Sequence, residues 1–252
     1  MSVSTRSRDA AKQDLSALNR GRKLLFDYVG VVGPRRSWLR SVDELDGRRR
    51  LFLSERTGIP PTPKAEQEFR NRMEVKYGTR ETSYILEHEY QIPRTEYVSE
   101  VYLPVMPKIR DEIERRADKR LSRLLRAIPL SKSILSNTLG VFVRTGLEAQ
   151  RLNSHFEFVI TVDTLMGDTK PNPSAFEKMV RSTGYRPKEV IYFDDKKRNL
   201  DAAHGLGMIT VHIGGDCTPG LHQADYHFDT LRQALEAIRR MQSEPRLGPR
   251  NS

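Results

Sequence analysis

Val190-Ile191-Tyr192-Phe193-Asp194-Asp195 is the stretch on which the fold turns. Four consecutive apolar residues, β-branched and aromatic, suit a strand buried on both faces, and such strands belong to parallel sheets. The run stops at two acids, so charge begins where the strand ends. Two other runs repeat the pattern: Leu24-Leu25-Phe26 ends in Asp27, and Ser133-Ile134-Leu135 ends in Ser136-Asn137. Around them strands and helices alternate. Strand 133–135 precedes a helix near 142–152. Strand 158–161 precedes Lys170-Pro171-Asn172-Pro173 and a helix over 173–183. Strand 190–193 precedes a helix over 198–206, and strand 209–213 a last helix near 230–241. This alternation implies a parallel sheet covered by helices on both faces, and ligands of such sheets bind beyond the carboxyl ends of the strands. Asp27, Ser136 and Asp194 all lie at those ends, so they can converge from distant parts of the chain.

Between the first two runs the pattern is helical. Thr62-Pro63 reads as an N-cap and first-turn proline. Ala65, Phe69, Met73 and Tyr77 then form one apolar face, and Gly78 stops the helix. A second helix is predicted over 82–90, ended by Ile92-Pro93. A third is predicted as one element over 108–127, with Ile109, Ile113, Ala117, Leu121 and Leu124 on one side. The expected organisation is a flexible basic arm over 1–21, an α/β core over 22–37 and 129–241, a helical cap over 38–128, and a flexible tail over 242–252.

The chain has 252 residues, 37% hydrophobic and 30% charged, ample for a buried core. No apolar run approaches the roughly 20 residues of a membrane span, and the polar first 23 residues lack the apolar segment of a secretory leader. The single Cys217 excludes an intrachain disulfide and a Cys-based zinc site. A cytoplasmic setting and no membrane partner are expected. The net charge of +10 is concentrated at the ends: residues 1–23 carry +4, residues 239–252 carry +3, and the rest carries +3. Without interleaved aromatics, this argues against nucleic acid as a partner and for solvated tails. Oligomeric state is not legible. The six His residues match no metal spacing, and Trp38 reads as a packing residue.

Together these residues resemble the haloacid dehalogenase superfamily, which consists mostly of Mg²⁺-dependent phosphatases, and within it the pyrimidine 5′-nucleotidase-like subgroup. The resemblance covers roughly residues 22–238. It is carried by Phe26-Asp27 with Pro34; Tyr77-Gly78-Thr79 and Glu87-His88; Leu135-Ser136-Asn137; Lys170-Pro171; and Phe193-Asp194-Asp195 with Asn199, Ala203, Gly207 and Met208. It implies an α/β Rossmannoid parallel sheet with an inserted helical cap. It further implies a small phosphorylated metabolite as substrate, nucleotides among the candidates. Asp27 would attack phosphorus as nucleophile, giving an aspartyl-phosphate. Ser136 and Asn137 would bind the phosphoryl group, and Lys170 would neutralise its charge. Asp27, Asp194, Asp195 and the backbone carbonyl of Val29 would hold Mg²⁺, a hard cation suited to oxygen ligands. Singly, each residue also fits an ordinary role: Asp194-Asp195 as helix-capping acids, Ser136-Asn137 and Asp27 as turn residues, Lys170-Pro171 as a loop before a helix.

One position departs from the pattern. Two residues after the nucleophile the superfamily usually has an Asp, which protonates the leaving alcohol and then activates water; this chain has Val29. Loss of a general acid/base costs about 10²–10⁴-fold. Gly30, Val31, Val32 and Gly33 depart too. Dehalogenating relatives also lack that second acid, but they need no metal, so Asp194-Asp195 argues against that branch. The alternative to an enzyme is a catalytically impaired ligand-binding or regulatory protein.

Overall fold

The computed structural model describes residues 18, 22–214 and 224–243. Of the predicted arm only Leu18 is described, and it is buried in the main core; the rest of the arm, most of the predicted tail and Cys217 lie outside the described residues.

Six strands form one parallel sheet in the order β3-β2-β1-β4-β5-β6. They are β1 Lys23–Phe26, β2 Ser131–Ser136, β3 Phe158–Thr161, β4 Val190–Asp194, β5 Ile209–Ile213 and β6 Tyr226–Phe228. The first five are those the sequence predicts. The sixth is an edge strand of only three residues, Tyr-His-Phe, too short and too polar to stand out as an apolar run. Chain order reverses between β1 and β4, the position where open parallel sheets leave a crevice beyond the strand ends.

The strands are buried on both faces, as continuous apolar runs require. Leu24, Phe26, Ile134, Ile191, Phe193 and Val211 belong to one core. Leu25, Leu135, Ile160, Val190 and Tyr192 belong to the other. Phe26 stacks on Phe193 with ring centroids 4.6 Å apart. Helices α7 Gly140–Ala149, α8 Pro173–Thr183, α9 Lys197–Gly205 and α10 Leu231–Ser243 alternate with the strands.

Six helices lie between β1 and β2: α1 Ser41–Thr57, α2 Pro63–Tyr77, α3 Thr82–Glu89, α4 Arg94–Tyr97, α5 Met106–Glu114 and α6 Lys119–Ala127. The boundaries of α2 follow the predicted chemistry. Thr62 Oγ1 accepts the Ala65 amide at 3.2 Å, and Gly78 closes the last turn on the Glu74 carbonyl. The single helix predicted over 108–127 is corrected. It breaks over 115–118, where Asp118 takes an extended conformation and caps α6 by accepting the Arg120 amide at 2.8 Å. The apolar spacing runs on through the break, which hides it from a periodicity argument. The two halves then pack separately, α5 against α7 and α6 against α10. Among the described residues, no helix is long and apolar enough to cross a membrane.

Candidate active site

Sheet register brings the site together. Phe26 pairs with Ile134 on one side and Phe193 on the other. The next residues, Asp27, Leu135 and Asp194, therefore sit level, and the Asp27 amide donates to the Phe193 carbonyl at 2.8 Å. The Lys170 ammonium closes this row. Its Nζ lies 2.9 Å from Asp27 Oδ1, 2.7 Å from the Leu135 carbonyl and 3.1 Å from Asp194 Oδ2. Lys170 arrives from the loop after β3 and is held by Asn137. The Asn137 amide group donates to the Lys170 carbonyl and accepts the Lys170 amide, both at 2.8 Å.

All three charged groups are nearly inaccessible, so their electrostatics are strong. Burial raises Asp27, and repulsion from Asp194 adds to it; attraction to Lys170 offsets only part, leaving the carboxyl at about 6. Burial also pushes Asp194 up, but Lys170, the Tyr192 hydroxyl, Asn199 and the Lys196 amide outweigh it, and the net shift is downward. Burial pulls Lys170 down, and its two carboxylate partners more than reverse this. The site thus favours a charged Lys170–Asp194 pair beside a readily protonated Asp27.

Asp194 is the most heavily bonded of the acids. Its Oδ2 accepts from Lys170, Tyr192 Oη and, at 2.9 Å, Asn199 Nδ2, while Oδ1 accepts the Lys196 amide at 2.8 Å. The Lys196 contact is a local turn bond, and α9 has no side-chain cap, so neither acid serves the helix-capping role open to it. Asp195 differs. Its Oδ1 is buried without a hydrogen-bond partner, and burial, reinforced by Asp194, raises its pKa. A buried, unpartnered carboxylate oxygen calls for a cation.

Asp27, Asp194 and Asp195 each offer an oxygen, all within 4.8 Å of one another. Three carboxylates with one orphan oxygen among them form a donor set that fits a hard divalent cation. Val29 stands next to this set. The bridge between Val29 and Gly33 uses the Tyr28 carbonyl and the Gly30 amide, so the Val29 carbonyl lies outside it. The side chain of Val29 is half-buried and packs against the main core. Tyr28 anchors this loop: its hydroxyl reaches Gln150 and lies where a Cβ on Gly146 would be, 1.7 Å away.

Ser136 ends β2 and is buried; its Oγ accepts the Thr138 amide at 3.3 Å. A cleft of about 460 Å³ opens beside the loops that follow β2, β3 and β4. Lys170 and Asn137 line it; Asp27 and Asp194 do not, but both are bonded to the Lys170 ammonium. Sequence reasoning missed Tyr192, because a tyrosine inside an apolar run reads as core, and its hydroxyl is visible only once Asp194 is placed. It also missed the arginines of α1 and α2 that reach this cleft. Trp38, expected to pack, is instead 58% exposed and lines a neighbouring cavity.

Comparison with known proteins agrees with this fold. Residues 119–213 match the profile of a family described as haloacid dehalogenase-like hydrolase. A glyceraldehyde 3-phosphate phosphatase of Methanopyrus kandleri is 29% identical over 112 residues, which are 41% of this chain and 48% of that protein. The match thus spans about half of that relative. Among solved structures, a HAD phosphatase from Thermococcus onnurineus has a TM-score of 0.54 at 20% identity, covering 90% of this chain and all of that one. A 2-haloacid dehalogenase from Pseudomonas syringae has a TM-score of 0.60 at 14% identity, covering 88% of this chain and 99% of that one. Residues 119–213 thus carry the sequence signature of haloacid dehalogenase-like hydrolases, and the chain shares the fold of these solved structures.

Proposed function

We propose that this protein is a Mg²⁺-dependent phosphatase of a small phosphorylated metabolite, nucleotides among the candidates, working through an aspartyl-phosphate on Asp27. The observation that carries the reading is the buried Asp27–Lys170–Asp194 row with Asp195 beside it. Three acids and one lysine suit phosphoryl transfer, where positioning and charge neutralisation do most of the work. The phosphatase among the relatives supports the same direction. The acid cluster speaks against the metal-free chemistry of the dehalogenase branch.

An Asp27 oxygen forms a bond to phosphorus as the ester P–O bond breaks. Lys170 balances charge on Asp27 and on the phosphoryl oxygens. Asn137 fixes the Lys170 backbone, and Tyr192 and Asn199 fix Asp194. Ser136 Oγ accepts the Thr138 amide and keeps its O–H free to donate to a phosphoryl oxygen. Asp27, Asp194, Asp195 and the Val29 carbonyl would hold Mg²⁺, which supplies positive charge against the phosphate when bound. The leaving oxygen takes its proton from water, since Val29 has none to give. Water then attacks the phosphorus of the aspartyl-phosphate, releasing phosphate and restoring Asp27. Residues 38–128 act in this reading as the cap that closes over the cleft.

Val29 favours one second reading, a protein of the same fold that binds phosphorylated ligands without turning them over. Phosphate release from a metabolite panel, with and without Mg²⁺, decides between them. Metal-dependent release is expected, lost on the order of 10³-fold or more in Asp27→Asn, since removing a nucleophile costs up to about 10⁶-fold. No release from any member, with binding retained, overturns the enzyme reading in favour of the second.

A further inference from the structure

The cleft beside Lys170 carries more positive charge than one phosphoryl group requires. Seven of its lining side chains are Arg or Lys and three are Asp or Glu. Lys170 is already matched by Asp27 and Asp194 behind it, which leaves six cations facing three acids. The six cations come from five separate segments: Arg36 from the 3-10 turn before α1, Arg49 from α1, Arg70 from α2, Arg80 from the α2–α3 turn, and Lys196 and Arg198 from the start of α9. They therefore converge by folding rather than as one charged run.

The three acids do not cancel the excess. Asp46 is shared by Arg36 at 2.8 Å and Arg49 at 2.7 Å. Glu81 is committed to capping α3, accepting the Tyr84 amide at 2.9 Å and the Ser83 hydroxyl at 2.5 Å. Glu74 stands 3.7 Å from Arg80, a loose pair. Glu66, outside the lining, pairs with Arg49 at 2.6 Å and stands 3.7 Å from Arg70, which also donates to the Thr82 hydroxyl at 3.1 Å; Arg198, in the first turn of α9, has no acidic partner among the described residues. An ordinary solvated face would alternate its signs. Like charges held in a concave surface repel one another and raise the local concentration of anions. Arginine forks further suit carboxylate and phosphate oxygens. The volume, about 460 Å³, is that of a small-molecule site rather than a polymer groove.

We infer that the outer part of this cleft recognises a second anionic group, a carboxylate or a second phosphate, on the same small substrate whose phosphoryl group meets Asp27. The inference rests on the phosphatase reading for the reacting group and adds the substrate class to it. Among the arginines, Arg80 and Arg198 have the least internal neutralisation, and they determine the preference.

Two matched pairs test it on the full chain with Mg²⁺. Glycerol 3-phosphate against 3-phosphoglycerate adds a carboxylate; fructose 6-phosphate against fructose 1,6-bisphosphate adds a phosphate. The doubly anionic member of at least one pair is expected to show kcat/KM about 10- to 100-fold higher, the range for hydrogen bonds to charged groups. The pair that shows it identifies the second anion. In Arg80→Gln/Arg198→Gln the preference should collapse to within a few-fold, through a higher KM for the doubly anionic member, while an unchanged thermal midpoint shows that the variant is folded. If no compound is hydrolysed, calorimetric Kd values of the parent replace kcat/KM, and a doubly anionic preference there upholds the inference while the enzyme reading falls. Equal or better handling of the singly anionic members, by rate or by affinity, overturns it; so does a preference untouched in the double variant.

Discussion

The carboxyl ends of β1 and β4 lie side by side, paired in register and joined by stacked Phe26 and Phe193, yet they are finished in opposite ways. At β4 two consecutive acids are present, and Asp194 is bonded through both oxygens to four donors. At β1 a single acid is followed by Tyr28, pinned in the core, and by Val29, which offers the site only its backbone. The β4 end is thus built to hold charge, while the β1 end, in the proposed reaction, would supply the nucleophile without a proton carrier. On that reading binding and turnover would have separate structural foundations, and each could be disturbed without the other.

The largest effect should come from the residue that spans both ends. Lys170→Met leaves Asp27 and Asp194 buried without their cation, and breaking such a contact costs about 3–5 kcal/mol. Urea unfolding at pH 7.5 should show that loss. At pH 5 the loss should shrink, because Asp27, raised to about 6, takes up a proton there. Mg²⁺ should recover part of it by binding the same acids. A loss of equal size at both pH values would mean that Asp27 is not the group left uncompensated.

Next comes the missing acid. Val29→Asp is expected to raise kcat about 10²-fold, the lower end for general acid/base catalysis, since the position already belongs to the loop beside Asp27. Rates with a phosphate ester of a poor leaving group should gain most, and those with an aryl phosphate least. An equal gain for both would show that proton transfer is not what Val29 withholds.

Acidity separates the two ends a third way. In the proposed reaction only ionised Asp27 would attack phosphorus, so kcat/KM should fall about tenfold per pH unit below about 6. For stability the sign is reversed. A carboxyl raised from 3.8 to about 6 on folding makes the native state bind more protons, so its contribution grows as pH falls from about 6 toward 3.8. Asp194, shifted downward, contributes in the opposite direction and loses its contribution at lower pH. Raising Mg²⁺ should move the acid limb of kcat/KM to lower pH, because a bound cation favours ionised Asp27. A limb that ignores Mg²⁺ would remove Asp27 from the metal's ligands.

What the sequence made legible follows the same division. The β4 end was readable because its chemistry is contiguous: an apolar run, two acids, a helix. Asp27 and Ser136 were readable by position, because parallel strands must end at one edge; Lys170, in the loop well past β3, was readable only through the family resemblance. Of the cation-lined cleft, the basic stretch 196–198 beside Asp195 was readable, but its meeting with Arg49, Arg70 and Arg80 was not, since they converge only through the packing of helices whose orientations no local pattern fixes. The break at 115–118 was hidden because apolar spacing persists across it, and β6 because three residues give no period. Asn137 was expected to bind substrate, and the structure adds a bond pair to the Lys170 backbone that a sequence cannot show.

The smallest effect probes the seam between the two ends. Gly30 has φ +89°, and a Cβ there would stand 2.6 Å from Asp195 Oδ2 and 3.1 Å from its Cγ. Gly30→Ala should therefore cost about 1–2 kcal/mol for left-handed backbone and push the Asp195 carboxylate aside. Mg²⁺ affinity, read as the metal-dependent rise in thermal midpoint, should weaken, because the displaced acid is the one with an unpartnered buried oxygen. Weaker metal binding is what connects the loop after β1 to the acids after β4. If Gly30→Ala lowers stability but leaves Mg²⁺ affinity intact, the loop merely covers Asp195, and the metal is held without the β1 end taking part.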